Sequence, residues 1–266
     1  MNLPDSQFPH RTTESGANRA SQNRHPVYPA RATAGCRQAF LELLQRRNAR
    51  DRAAFRRDIM RCDMRNLGSS EIPAAAALLA RAFDADPMFQ FLYPDASKRA
   101  GWLKWMMGVT LRQGVHDGVV FAVDDGDSLA GTATCVDPGK WPLGGWSFVR
   151  AGFALPPSLP TWRSLREGVA VDRAVLARHP PVPHWYIYVL GVDPSFAGRG
   201  YGGALLRHVT AQADAASAPA HLETTNPKNL SLYRKFGFEV TEEIVIGEAP
   251  PAWVMTRPPV SLESRS

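Results

Sequence analysis

The sequence predicts a mixed α/β fold with a mostly antiparallel central sheet and flanking helices, and three observations carry that prediction. WYIYVL, Trp185–Leu190, is the longest apolar stretch of strand character, and it runs into the glycine-rich GRGYGG and then a helical pattern. GVVFAVDD and SLAGTATCVD flank Gly126 and Asp127 as the arms of a hairpin would. FEVTEEIVI and PAWVMTR close the chain as an antiparallel pair around Pro250 and Pro251.

Taken in order, residues 1 to about 34 are rich in Ser, Asn, Pro, Arg and Thr and short of apolar positions. Too little surface can be buried there to offset the entropy of ordering, so disorder is expected. From 36 to 60, Phe40, Leu43, Leu44, Phe55 and Ile59 recur at helical spacing among arginines, an amphipathic helix of modest strength. It reads as a solvated extension rather than a membrane-surface or targeting element, because its acidic residues and late position weaken a targeting signal. The predicted domain spans 61–260. MRNL is a short strand, Ser69 and Ser70 with Glu71 offer an N-cap, and IPAAAALLARAF is a helix by composition and period. Asp84, Asp86 and Pro87 break it. A helical region returns to about Gln113, with Trp102, Trp105, Met106 and Val109 as an apolar stripe for the core, and the hairpin follows. Residues 137–183 interrupt the strand pattern and hold two predicted helices, WSFVRAGFAL and TWRSLREGVAVDRAVLARH; a connection of this length usually serves a site. GGALLRHVTAQADA, AHLETTN and NLSLYRKF then read as helix, strand and short helix.

Composition narrows the function classes. Residues 1–65 hold 13 Arg, no Lys and six acidic residues, a balance of +7 that leaves −1 of the total +6 for the rest. A near-neutral body lacks the electrostatic footprint of a nucleic-acid binder. No apolar run approaches the roughly 18 to 20 residues that cross a bilayer, and MNLPDSQFPHRTTESG lacks the apolar core of a secretory signal. Neither nucleic acid nor membrane is therefore expected as a partner. Cys36, Cys62 and Cys135 are too few and too scattered for a disulfide framework or a zinc site, so no metal is expected and the cytoplasm is the expected location.

Gly198, Gly200 and Gly203 satisfy GxGxxG, and Glu223 lies 20 residues beyond Gly203, as a dinucleotide fold would place its ribose carboxylate. That reading fails on two physical points. Asp193, Pro194, Ser195, Phe196 and Ala197 stand between the strand and the first glycine, where a dinucleotide turn must be tight. Only about 60 residues follow, and they close as a hairpin rather than as further parallel strands. A longer loop of this composition still lets successive N–H groups converge on an anion, and the dipole of the helix beginning near Gly202 adds to them.

LGVDPSFAGRGYGGALL resembles the acyl-CoA-binding segment of the GCN5-related N-acetyltransferase superfamily, which reads Gln or Arg, two residues, Gly, one residue, then Gly or Ala. Gly200 and Gly202 match, while Ala197 stands where the superfamily carries Gln or Arg. LETTNPKNLSLYRKFGF is similar to its second half, with an Asn opening a short helix, a Tyr four residues on and FGF before the next strand: Asn229, Tyr233, Gly237 and Phe238 fit. From about Cys62 to Pro258 the chain resembles the puromycin N-acetyltransferase branch in AFDADP, the helical excursion before the central strand, PHWY leading into it, LET and WVMTR.

The resemblance implies the acyl-CoA N-acyltransferase fold, acetyl-CoA as co-substrate and direct attack of an amine on the thioester. Backbone groups of Ala197, Gly198, Arg199, Gly200, Tyr201, Gly202 and Gly203 would hold the pyrophosphate, with Asn229 completing the cofactor site. Leu190, Gly191 and Val192 would pair with the pantetheine amides as a strand does, and Val192 N–H would face the developing oxyanion. Gly191, inside a bulky strand, implies a bulge or a close backbone approach. Tyr233 would protonate the leaving thiolate. Glu223 would act as base, directly or through water, or bind the substrate ammonium, with Asp86 and His184 as other candidate bases. Asp86, Trp185, Tyr186 and Tyr188 would wall the acceptor pocket; alternation puts the two tyrosines on one face and Trp185 on the other. The expected acceptor is a small-molecule amine, with a protein or peptide acceptor and a non-catalytic acyl-CoA-binding regulatory module as alternatives.

Overall fold

The computed structural model describes residues 62–143, 147, 157 and 161–260. The predicted extension at 1–60, its 36–60 helix and, apart from Ser147, the helix predicted at WSFVRAGFAL lie outside the described residues. Seven strands form among the described residues: β1 (Cys62–Asn66), β2 (Val119–Asp125), β3 (Ser128–Val136), β4 (Trp185–Val192), β5 (Ala220–Thr224), β6 (Glu239–Ile244) and β7 (Ala252–Arg257). They make one sheet in the order β1-β2-β3-β4-β5-β7-β6, antiparallel except where β4 meets β5. The helices are α1 (Ile72–Phe83), α2 (Pro87–Leu92), α3 (Ala96–Asp117), α4 (Trp162–Leu176), α5 (Tyr201–Ala215) and α6 (Leu230–Lys235). No helix among the described residues is long and apolar enough to cross a membrane.

Local chemistry sets the boundaries. The serines expected to cap α1 instead lie in a 3-10 turn, Ser69–Glu71. Glu71 is held by Arg65 at 2.6 and 2.8 Å and reaches back to Gly68 N–H at 2.8 Å, so the carboxylate rather than a hydroxyl organises this start. Asp86 caps α2, its Oδ1 accepting from Met88 N–H at 3.0 Å, and Asp95 caps α3 through Ser97 N–H at 3.0 Å. The single helical region expected after the break is thus two helices. The second passes Gln113 and ends at Gly118, where a Cβ would lie 2.2 Å from the Cys135 carbonyl oxygen; glycine lets β2 begin flush against β3. The core stripe of α3 is Leu103, Met107 and Leu111, one turn apart and fully buried. Trp102 and Met106 of the expected stripe pack against this core half-buried, Trp102 also stacking on Tyr93 at 3.9 Å.

Each face of the sheet carries its own core. Trp185, Ile187, Leu205, Leu206, Val209, Leu222 and Met255 pack between the sheet and α5, while Leu79, Leu103, Met107, Leu111, Val120 and Ala122 pack between the sheet, α1 and α3. β4 switches its allegiance along its length. Ile187 pairs with Cys135 and Val189 with Thr134, so Tyr188 is an extra residue, a bulge. Beyond it, Leu190 and Val192 pack on the α5 side and Val189 on the α1 side, the reverse of what unbroken alternation from Trp185 gives.

β4 pairs with β5 only at Trp185↔Ala220 and Tyr186↔His221, and the two strands diverge from there. The expectation for Gly191 resolves into a close approach, with the bulge three residues earlier. A Cβ at Gly191 would lie 2.6 Å from Leu79 Cδ2, 3.2 Å from Phe83 and 3.3 Å from Ala82, all on α1. Leu79 is fully buried, and a close-packed interior leaves little room for its methyl to shift. Gly191→Ala should therefore lower stability by about 1–3 kcal/mol through overpacking, read as a fall in the urea midpoint with unchanged slope; an unchanged midpoint would contradict this contact.

Candidate active site

The loop after β4 is built on Asp193. Its Oδ1 accepts from Ser195 N–H at 2.9 Å and Ser195 Oγ at 2.7 Å, and its Oδ2 accepts from Arg81 Nε at 3.1 Å and pairs with Arg81 Nη2. Burial alone pushes this carboxyl up, but the Ser195 and Arg81 contacts outweigh it and hold the group below the usual range. The Pro194–Phe196 turn follows and uses two donors expected at the cradle: Ala197 N–H bonds Pro194 O at 3.1 Å and Arg199 N–H bonds Phe196 O at 3.4 Å. Gly198 and Gly200 have φ of 77° and 92°, with nothing within 4 Å of a Cβ built on either. Conformation rather than space demands glycine at both.

α5 starts at Tyr201, one residue before the expected position, and its cap Gly200 offers no side chain. The N–H groups of Gly202 and Gly203, in the first turn, therefore have no intrahelical acceptor, whereas Ala204 N–H already reaches Gly200 O at 2.9 Å. Tyr201's ring is buried and meets Phe196 edge-on. Arg199 extends to Asp125 at 2.9 Å.

The divergent edge of β4 continues this row of donors. Asp193 N–H bonds Ala130 O at 2.9 Å, and a Cβ on Gly131 would meet Gly191 O at 2.9 Å, so these groups point at β3. Backbone groups alternate sides along a strand. Leu190 and Val192 thus turn their N–H and C=O toward the gap from which β5 has departed.

Across the gap, Asn226 rather than Asn229 opens the segment after β5, capping Pro227–Asn229 through Lys228 N–H at 3.1 Å. Asn229 Nδ2 donates to Thr224 Oγ1 at 3.4 Å and precedes α6. Tyr233 is buried on α6 against Phe238, and burial together with the charge of Asp86 pushes its phenol up to about 12. Asp86 lies between these elements, accepting from Thr225 Oγ1 at 2.9 and 3.2 Å. Burial pushes its own carboxyl up.

Glu223 faces the other side of the sheet. Tyr186 OH donates to its Oε2 at 3.0 Å, His221 Nε2 lies 2.8 Å from its Oε1, and His179 Nε2 lies 3.5 Å from the same oxygen. His179 Nδ1 is 3.0 Å from His184 Nε2, and His184 Nδ1 is 2.8 Å from Val182 O. A carbonyl only accepts, so His184 Nδ1 carries the hydrogen. Burial lowers His184 and takes His179 down to about 3, so both rings are neutral at neutral pH. His179 Nδ1 must then donate to His184, which leaves a lone pair on His179 Nε2, buried and without a hydrogen-bond partner among the described residues.

Above Glu223, Trp141 covers Tyr186 at 4.5 Å, Tyr188 at 5.6 Å and His179 at 4.8 Å between ring centroids. Tyr186 and Tyr188 share this face, 5.5 Å apart, as alternation predicts. Trp185, expected in the pocket wall, is fully buried in the α5-side core and stands outside it. His184 touches His179 and not Glu223. Trp141, His179 and His221 were not among the expected site residues. The i, i+2 spacing of His221 and Glu223 on one strand was the available signal; Trp141 and His179 arrive from irregular backbone that carries none.

Residues 81–238 match the acetyltransferase (GNAT) family. Over 64 residues the chain is 38% identical to N-alpha-acetyltransferase RimI of Mycobacterium tuberculosis, a stretch that covers 24% of this chain and 40% of that relative. A histone acetyltransferase HPA2 and related acetyltransferase from Corynebacterium glutamicum superposes with a TM-score of 0.54 at 23% identity, over 76% of this chain and 98% of that one. Arylalkylamine N-acetyltransferase 2 from Aedes aegypti does so with 0.53 at 14%, over 74% and 98%. These two likenesses establish the fold.

The Asp193 anchor has a measurable consequence. Its folded pKa lies below the unfolded value, so its contribution is present above about pH 4 and is lost as pH falls through the folded pKa. Asp193→Asn should cost about 1.5–3 kcal/mol at pH 7, and the gap between the two proteins in urea titrations should shrink below about pH 4. An equal gap at pH 7 and pH 3 would refute the assignment.

Proposed function

The chain belongs to the acetyltransferase (GNAT) family, and we propose that it is an N-acetyltransferase that uses acetyl-CoA to acetylate the amine of a small molecule. The observation that carries this reading is the gap between β4 and β5, lined by Leu190 and Val192 main chain and ending at the first turn of α5, whose cap Gly200 offers no side chain to Gly202 and Gly203 N–H. That row suits a ligand with amides at one end and a diphosphate at the other. When bound, acetyl-CoA supplies an acetyl group activated as a thioester. Gly198, Gly200 and the first turn of α5 would hold the diphosphate, with Ala197 and Arg199 shaping the loop. Val192 N–H would donate to the carbonyl oxygen as negative charge builds there.

Tyr233, with its phenol near 12, keeps its proton at neutral pH and can give it to the departing sulfur. Glu223 takes the proton of the incoming ammonium, directly or through water, or holds that ammonium in place. Tyr186 and His221 fix its orientation. Tyr186, Tyr188 and Trp141 beside it favour a planar or bulky amine, with Asp86 at the far rim. The likeness to the puromycin N-acetyltransferase branch supports the same acceptor class. An N-terminal peptide amine is the second reading, favoured by the 38% identity to RimI. We place the enzyme in the cytoplasm, a reducing setting that suits the buried free thiol of Cys135.

Purified protein given acetyl-CoA and a panel of aryl and alkyl amines should release free thiol. Tyr233→Phe should lower kcat about 100-fold or more while acetyl-CoA affinity stays within about twofold. Gly200→Val should weaken acetyl-CoA binding about tenfold, since a β-branched residue is strained at that φ. Turnover confined to peptides would move the acceptor to the second reading; tight binding with no turnover on any amine would sink the enzymatic reading.

A further inference from the structure

We propose that His179, His221 and Glu223 form a site for a zinc-class divalent cation, and that its occupancy blocks acetyl transfer. The ligand atoms of the three residues all lie within 4.8 Å of one another, and they come from three separate places: the segment after α4, and two positions on one face of β5. A tetrahedral zinc with ligands at about 2.0–2.1 Å spaces those ligands about 3.3 Å apart. His179 Nε2 and Glu223 Oε1 are already 3.5 Å apart. His221 Nε2 and Glu223 Oε1, at 2.8 Å, need only about half an ångström of carboxylate rotation to reach that spacing.

The sharper observation is the unpartnered ring nitrogen of His179. Its side chain is 6% exposed, its Nε2 is buried with no hydrogen-bond partner among the described residues, and it lies 3.5 Å from a carboxylate oxygen. A buried polar atom without a hydrogen bond is costly, and a cation held between the nitrogen and the carboxylate would satisfy both. The surrounding bonds are those that metal-bound histidines use. His179 Nδ1 donates to His184, which is itself anchored on Val182 O. His221 Nδ1 is 3.2 Å from Thr256 Oγ1 and can donate there once Nε2 gives its lone pair to the metal. Tyr186 OH steadies the second carboxylate oxygen. Such outer partners set ligand orientation and tautomer. Two imidazoles and one carboxylate favour zinc-class ions over magnesium or calcium, and three protein ligands leave a fourth position open. Occupancy ties up the Glu223 oxygen, so inhibition of transfer rests on the function proposed above, whereas binding itself does not.

Titration calorimetry of the full chain with zinc chloride should give one site per chain. Cobalt(II) should develop the intense visible bands of a tetrahedral ion, and zinc should bleach them. His179→Ala should abolish these bands, and His184→Ala, which removes only an outer partner, should weaken binding about 10–100-fold. Zinc should inhibit thiol release by the wild-type protein, dipicolinate should restore it, and whatever activity His179→Ala retains should be indifferent to zinc. No cobalt bands in the wild-type protein, or bands unchanged in His179→Ala, would overturn the site while leaving the acetyltransferase reading intact. Tight zinc binding with no effect on turnover would overturn the inhibition.

Discussion

Two parallel strands that share only Trp185↔Ala220 and Tyr186↔His221 leave an edge of backbone donors and acceptors that the sheet itself does not satisfy. Inside a protein such groups are costly without partners. The surrounding structure keeps them available rather than burying them. α1 presses on Gly191 from one face, the α5-side core holds Leu190 and Val192 from the other, and Asp193 pins the next turn to Arg81 on α1. Past the Pro194–Phe196 turn, which spends its N–H groups internally, donors return in the first turn of α5, where backbone amides and the helix dipole add to one another.

Most of the architecture was legible in the sequence because it rests on periodicity and on Gly and Pro punctuation. Helix α1, the β2–β3 hairpin, β4 and the closing β6–β7 pair fall where alternation and helical spacing place them. Boundaries slipped where a carboxylate outcompeted another signal: Glu71 in place of the serines, and Asp95 splitting one expected helix into two. The glycine loop was readable for the same reason, since positive φ at Gly198 and Gly200 is a demand that residue type announces. Hydrogen-bond use was not readable, and Ala197 and Arg199 spend their N–H groups inside the turn.

On the acceptor side the sequence named Glu223, Tyr186 and Tyr188 but not what surrounds them. Trp141 and His179 come from the long connection between β3 and β4, whose placement is decided by tertiary packing rather than by any local pattern. The result is a polar cluster in which Glu223 accepts from a phenol and an imidazole while one further ring nitrogen stays unsatisfied. Chains of this kind usually close completely. An open end in a buried network is where a ligand or an ion enters the account.

The extra residue at Tyr188 acts as a phase slip in the central strand. Upstream of it, Tyr186 and Tyr188 turn their side chains to the Glu223 face; downstream, the same strand offers main chain toward the gap while its side chains serve the two cores. On the proposed function, exchanges at Tyr186 or Tyr188 would remodel what the amine meets without disturbing the register of the donors beyond, so that a single strand would let acceptor choice drift while its grip on the cofactor stays constant.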